Sequence, residues 1–178
     1  YHFTHRCSKS GACKPPAKKN NKKRIQNHIG NTGNDNNRQP QLLLFGGNKK
    51  QGARYAQLIS SYKRALGENV NVYNLVVPTS VEFYLPEKYK KYSGSEKDAI
   101  DNIYANLTDG VISVDAYSVL EAHKDEYIYF RTDHHWTDLG AYYAYTAFCN
   151  TIGQTPPTLD SYITKTKDEP YVGSLYGY

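Results

Sequence analysis

Several residue types are scarce or missing in this chain. Its 178 residues include no methionine, one tryptophan and three cysteines. Because the initiator methionine is missing too, we interpret the chain as an internal or processed piece, which is compatible with a removed export signal. No run of about 18 apolar residues occurs, so we expect no transmembrane segment.

The three cysteines limit the kinds of site that the chain can build. Cys7, Cys13 and Cys149 form no CxxC pair, which argues against a structural zinc site. A Cys7–Cys13 bridge would suit an exported protein, whereas Cys149 lies in a predicted helix and is typical of a buried, unpaired thiol. The sequence also lacks the P-loop and dinucleotide-binding fingerprints, so we expect no cofactor.

Acidic residues are almost absent from the N-terminal end. Residues 1–40 hold nine lysines and arginines against a single acid, Asp35, which gives +8, whereas 41–178 hold 13 basic and 16 acidic residues, which gives −3. Such a basic segment can bind nucleic acid, an anionic membrane surface or an acidic polymer. A solvated, irregular arm is the favoured interpretation, because no aromatic residues interleave with the basic run. We therefore expect no nucleic-acid partner.

Residues 41–178 show the pattern of one α/β domain. Short apolar or β-branched runs alternate with helical periodicity, and glycine and proline separate them. The alternation predicts a three-layer sandwich with a mainly parallel sheet, in which function collects at the carboxyl ends of the strands. The predicted strands are 41–45, 70–77, 110–115 and 127–130. The predicted helices are 51–66, 95–107, 116–123 and 137–152.

The tetrad Asp133-His134-His135-Trp136 follows the last predicted strand. In an extended backbone, Asp133 and His135 share one face while His134 points to the other. A carboxylate can then orient His135 as a general base for a hydroxyl. A metal site is disfavoured, because adjacent histidines on a strand diverge. An alternative stays open, in which Asp133 caps the next helix, the histidines are ordinary loop residues and Trp136 is core.

Three further residues are candidates for substrate binding. Trp136 could stack on a sugar ring or form a wall of the site. Arg131 could bind an anionic substrate, although a solvated surface position explains it as well. Ser80 follows the strand 70–77 and could line the site, or instead cap a short helix.

The residues around the tetrad carry a resemblance to a known family. Tyr129 to Thr137 (YFRTDHHWT) and Leu139 to Tyr145 (LGAYYAY) are similar to the signature of the DHHW protein family of bacterial, envelope-associated proteins. The resemblance extends from about Gly52 to the end of the chain. That family in turn resembles the alginate O-acetylation proteins, which have an SGNH-hydrolase-like fold.

The resemblance assigns roles to two residues of the tetrad. It implies that Asp133 is the acid and His135 the base of an acyl-transfer centre, with a serine later in the chain as the nucleophile. Asp160-Ser161 is the only later Asp-Ser pair, and it follows a proline-rich loop rather than a strand. We therefore expect the nucleophilic serine to lie outside this chain, the domain to be incomplete at its C-terminus, and the chain alone to be inactive.

The resemblance also implies a substrate and a location. The leading hypothesis is an acyl esterase or O-acetyltransferase that acts on a cell-envelope or extracellular polysaccharide and works with envelope polysaccharide machinery outside the cytoplasm. The alternative is a non-catalytic carbohydrate-binding or scaffold protein of the same fold.

Overall fold

The computed structural model describes residues 41–165 and 171–176. The predicted irregular head, 1–40, lies outside these residues, as does the Cys7–Cys13 bridge. The described chain is a mixed α/β fold that is mostly helical, with one parallel sheet of two strands. No helix in this part of the chain is long and apolar enough to cross a membrane.

Within the described residues, the regular structure consists of five α-helices, two strands and two 3-10 helices. In chain order the α-helices are α1 (Lys49–Leu66), α2 (Ser80–Tyr84), α3 (Glu96–Ala105), α4 (Ala116–Ala122) and α5 (Asp138–Thr151). The strands are β1 (Tyr73–Leu75) and β2 (Ile112–Val114). The 3-10 helices are Glu87–Tyr92 and Leu159–Ser161.

Local signals fix the ends of the helices. In α1, the Asn48 side chain accepts the backbone N–H of Gln51 and the Gln51 side chain accepts the N–H of Asn48, which makes a capping box. The same helix ends at Gly67, which takes a positive φ of 75°. Asp115 caps α4, because its side chain accepts the Ser118 N–H.

The sheet is smaller than the sequence predicts. β1 and β2 pair in parallel, with Tyr73 opposite Ile112 and Leu75 opposite Val114. The chain between them runs through α2, a 3-10 helix and α3, as parallel pairing requires a long crossover. The longer predicted strands 70–77 and 110–115 are thus confirmed only at their centres.

Two predicted strands are wrong. Residues 41–45 have no ladder partner, and Leu43 and Leu44 are 57% and 53% exposed rather than buried. Residues 127–130 contribute only an isolated antiparallel bridge, between Tyr129 and Trp136. The reason is that 127–130 turns back on the residues just after it, which leaves no room for a longer ladder.

The core lies between α4 and α5 and extends to the segment before the tetrad. Its buried centre is Leu120, Ile128, Tyr129 and Tyr143. Partly buried side chains from other elements pack around this centre, among them Phe83 and Trp136. The tetrad is therefore attached directly to the core.

Gly140 in the first turn of α5 provides a test of this attachment. An added Cβ would overlap the Ile128 carbonyl oxygen and lie 3.1 Å from Trp136 Cβ. We expect Gly140→Ala to lower the free energy of unfolding by about 1–3 kcal/mol, because α5 must move away from the tetrad. Urea unfolding measures this, with Gly46→Ala as control, since nothing lies within 4 Å of a Cβ at Gly46. Equal stability of the two variants would contradict the packing.

Candidate functional site

The tetrad sits on a tight loop that the chain closes on both sides. The backbone N–H of Phe130 donates to the His135 carbonyl at 3.2 Å, and that of Thr137 donates to the Ile128 carbonyl at 2.9 Å. Between these bonds, residues 131–135 form a series of bends rather than an extended strand. Thr137 also caps α5 by accepting the Gly140 N–H, so the loop is fixed to the start of a helix.

Asp133 and His135 are in direct contact, as the sequence predicts. Asp133 Oδ1 lies 2.6 Å from His135 Nδ1, and the same oxygen accepts the backbone N–H of His135 at 2.9 Å. Asp133 is 4% exposed, whereas 44% of the His135 side chain is exposed. A buried carboxylate thus holds an accessible imidazole through its Nδ1 atom, which is how a carboxylate fixes the tautomer of a catalytic histidine.

The second oxygen of Asp133 is bound by a distant segment. Oδ2 accepts the backbone N–H of Ser174 at 2.9 Å and the hydroxyl of Tyr171 at 3.3 Å. Burial alone would raise the pKa of the Asp133 carboxyl, but the hydrogen bonds from Ser174 and His135 outweigh it and hold that pKa well below its ordinary value. Asp133 is therefore an anion at neutral pH.

The segment 171–175 is also attached to the residue before Asp133. The Leu175 N–H donates to the Thr132 carbonyl at 2.9 Å, and the Gly173 N–H donates to Thr132 Oγ1 at 3.3 Å. This segment is not among the site residues predicted from the sequence. Its one signal is Gly173, which lets the two backbones approach closely, and a lone glycine does not identify its neighbour.

The predicted direction of His134 is wrong. Its ring lies 4.0 Å from the His135 ring between centroids, and its Nδ1 lies 3.7 Å from Asp133 Oδ1. The loop bends here, so adjacent side chains do not alternate between faces as they would on a strand.

The side chains of His134 and His135 do not diverge, so the argument made from the sequence against a metal site does not hold. Ligand atoms of Asp133, His134 and His135 lie within 4.8 Å of one another and could hold an ion. Asp133 Oδ1 and His135 Nδ1 are already hydrogen-bonded at 2.6 Å, so metal binding through these atoms would compete with the pair.

The three candidate substrate-binding residues differ from one another in their surroundings. Trp136 is half-buried and packs against the core, which favours a supporting position beside the pair. Arg131 is half-buried in the loop, and its carbonyl accepts the Gln41 N–H at 2.9 Å. Ser80 is 5% exposed in the first turn of α2. The capping role considered for Ser80 is wrong, because the N-cap of α2 is Thr79.

Comparison with known proteins gives one family. The model of that family, described as DHHW protein, matches residues 47–178. The crystal structure of a DHHW family protein from Eubacterium siraeum DSM 15702 is 49% identical over 76% of this chain, with a TM-score of 0.71. PatB1 of Bacillus cereus is 18% identical over 72% of this chain, with a TM-score of 0.55, and at that identity the likeness shows the fold alone.

The chain spans 44% of the length of the Eubacterium siraeum protein and 50% of the length of PatB1. No curated protein matches it.

The depressed pKa of Asp133 predicts a dependence of stability on pH. Because the folded pKa lies below the unfolded value of about 3.9, the carboxylate stabilises the fold above that pH, and this contribution is lost as the pH falls through the folded pKa. We expect Asp133→Asn to cost about 1–3 kcal/mol at pH 7, and the difference from the wild type to shrink at pH 3. Urea unfolding at pH 7, 5 and 3 measures it.

The exposed Asp160 is the matched control for this pH series. Asp160→Asn should stay within about 0.5 kcal/mol of the wild type at each pH. A difference between wild type and Asp133→Asn that is the same at pH 7 and pH 3 would show that the carboxylate charge does not stabilise the fold.

A second prediction tests the attachment of the segment 171–175. A Cβ on Gly173 would overlap the Thr132 carbonyl oxygen and lie 2.7 Å from Asp133 Cβ. We expect Gly173→Ala to displace the segment, to cost about 1–3 kcal/mol, and to shift the amide NMR signals of Asp133 and His135. Val172→Ala, at a side chain that is 57% exposed, should leave those signals in place. Unchanged signals in Gly173→Ala would mean that the segment does not hold Asp133.

Proposed function

The chain belongs to the DHHW protein family, and we propose that its Asp133–His135 pair is the acid–base half of a serine-dependent acyl-transfer centre. In this proposal the protein is an SGNH-like esterase or O-acetyltransferase. His135 removes a proton from an attacking serine hydroxyl, and Asp133 holds the imidazole and stabilises the imidazolium that forms.

One observation carries the proposal: a buried, anionic carboxylate contacts the Nδ1 atom of an accessible imidazole. The 2.6 Å contact between Asp133 Oδ1 and His135 Nδ1 assigns the orienting function to the carboxylate. Proton abstraction then falls to Nε2, the other ring nitrogen. The charge of Asp133 is maintained by the backbone N–H groups of His135 and Ser174, so the pair is organised before any substrate binds.

The nucleophile in this proposal comes from a part of the protein outside this chain. The hydroxyl of Ser174 lies 3.2 Å from the Nδ1 atom of His134, the neighbouring histidine. The hydroxyl of Ser161 donates to the Thr158 carbonyl in a 3-10 helix. Further strands added to β1 and β2 would complete the three-layer sandwich, and a serine at the carboxyl end of such a strand could face His135.

The proposed substrate is an acylated polysaccharide of the cell envelope or extracellular matrix, and the proposed location is outside the cytoplasm. The family resemblance supports both. Arg131, which lies in the same loop as the pair, would bind polar groups of the glycan, and Trp136 would support the ring of His135. A non-catalytic protein of the same fold would bind the glycan and transfer no acyl group.

Release of acetate from 4-nitrophenyl acetate tests the chemistry. The assay compares the 178-residue chain with the full-length gene product that we propose contains it. We expect turnover only in the latter, with His135→Ala lowering the rate at least about 100-fold, because a general base contributes 10²–10⁴. Asp133→Asn should lower it by a similar factor through the wrong tautomer of His135.

His134→Ala is the matched control, because its ring is a neighbouring exposed imidazole that is not bonded to Asp133 at hydrogen-bond distance. Its rate should stay within about threefold of the wild type. Equal loss of rate in both histidine variants would contradict the assignment of the base. Activity of the 178-residue chain that depends on His135 would place the nucleophile within this chain.

A further inference from the structure

An exposed lysine–tyrosine surface lies on the 3-10 helix Glu87–Tyr92, away from the tetrad in sequence. Every residue from Pro86 to Tyr92 is exposed, and Tyr89 and Tyr92 are 45% and 63% exposed. Two exposed aromatic rings one turn apart, each beside a lysine, form a contiguous patch, and such patches are candidate binding surfaces.

The geometry of this 3-10 helix repeats the same pair of side chains, one lysine and one tyrosine, on successive turns. A 3-10 helix has three residues per turn, so Tyr89 and Tyr92 lie on one face and Lys88 and Lys91 lie on the next, with about 6 Å between equivalent positions. The Lys88 Nζ sits 4.7 Å from the centre of the Tyr89 ring, and the Lys91 Nζ sits 4.9 Å from the centre of the Tyr92 ring. Each turn thus presents one cation beside one aromatic ring.

The charge of the surface is available to a ligand. Lys90 is paired with Glu87 at 2.7 Å. Lys88 and Lys91 form no ion pair with any residue that the structure describes, and their ammonium groups lie over the tyrosine rings. Two positive charges at a regular spacing therefore remain for an anionic partner.

The backbone connects this surface to the loop of the tetrad. The Phe45 N–H donates to Ser93 Oγ at 3.0 Å, next to Tyr92, and the Gln41 N–H donates to the Arg131 carbonyl at 2.9 Å, two residues before Asp133. The four steps from Gln41 to Phe45 span at most about 14 Å. A single extended polymer ligand could therefore reach from the lysine–tyrosine surface to His135.

We propose that Lys88, Tyr89, Lys91 and Tyr92 form a docking surface for an anionic polysaccharide. A polysaccharide bound there would extend toward the Asp133–His135 pair. This inference rests on the proposed function and narrows its substrate to glycans that carry carboxylate or phosphate groups at regular intervals. The tyrosine rings contact the faces of the sugars, and the lysines pair with the acidic groups.

We commit to a glycan because the surface continues toward the Asp133–His135 pair, whose proposed substrate is an acylated polysaccharide. A nucleic acid would use the same side chains, since its phosphates would pair with the lysines and its bases would stack on the tyrosine rings. Binding of single-stranded DNA is therefore a competing outcome of the test.

Lysine footprinting of the full chain tests the proposal, because it reports each position separately from the basic residues 1–40. The probes are oligogalacturonate, its neutral methyl ester, phosphorylated dextran, neutral dextran and oligo-dT. We expect at least one anionic glycan to protect Lys88 and Lys91 from acetylation, with no protection by its neutral form. Lys49 and Lys50, an exposed pair at the start of α1, should stay reactive.

Variants give the affinity of the surface. Lys88→Gln/Lys91→Gln should weaken binding of the protecting glycan about three- to tenfold, and Tyr89→Ala/Tyr92→Ala about tenfold. The matched controls Lys49→Gln/Lys50→Gln and Tyr62→Ala, at an exposed tyrosine of α1, should bind as the wild type does.

Three results would overturn the docking surface: failure of both anionic glycans to protect it, equal protection by the neutral forms, or stronger protection by oligo-dT. These results are separate from the acyl-transfer assay, because a small ester needs no docking surface. Ester hydrolysis that depends on His135 without protection of Lys88 would refute the docking surface alone. Protection of Lys88 and Lys91 without ester hydrolysis by the full-length gene product would refute the acyl-transfer proposal alone.

Discussion

The buried charge of Asp133 is the constraint on which the site and its surroundings depend. A carboxylate that is 4% exposed would cost several kcal/mol unless hydrogen bonds replaced its water. Those bonds come from two parts of the chain, because His135 binds one oxygen and the segment 171–175 binds the other. The loop must therefore bend and the distant segment must dock for the charge to be tolerated. The groups that stabilise the folded chain are thus the groups that orient the imidazole.

The helices could be predicted from the sequence because their signals are local. Side chains within a few residues cap α1, α3 and α5, and the predicted spans 51–66, 95–107 and 137–152 agree closely with the observed ones. Strand pairing depends on residues far along the chain, and the sequence alone does not show whether a partner exists. The apolar run 41–45 accordingly reads as a strand, although its contacts lie at its two ends and its leucines face solvent.

The candidate site, like the helices, could be predicted only where it depends on residues that are close in sequence. The contact between Asp133 and His135 joins residues two positions apart, so its geometry follows from short-range chemistry. The direction of His134 could not be predicted, because it depends on bends that the sequence does not mark. Ser174, some 40 residues further on, was missed because its contribution to the site is a backbone N–H, which every residue except proline carries. Its location is a property of the fold and not of a residue type.

The separation of the pair from its proposed nucleophile has a physical rationale. Because Asp133 and His135 lie on one loop that is fixed to α5 and to the segment 171–175, their relative position does not depend on the rest of the centre. In the proposed centre, a serine on another element would need to approach only the exposed ring of His135. Preorganisation of the base costs nothing at the moment of reaction, whereas the angle of attack is decided by how the remaining elements pack. If the proposed centre is right, changes in packing far from the pair would alter the rate through the distance between serine and imidazole, and would leave the carboxylate–imidazole contact intact.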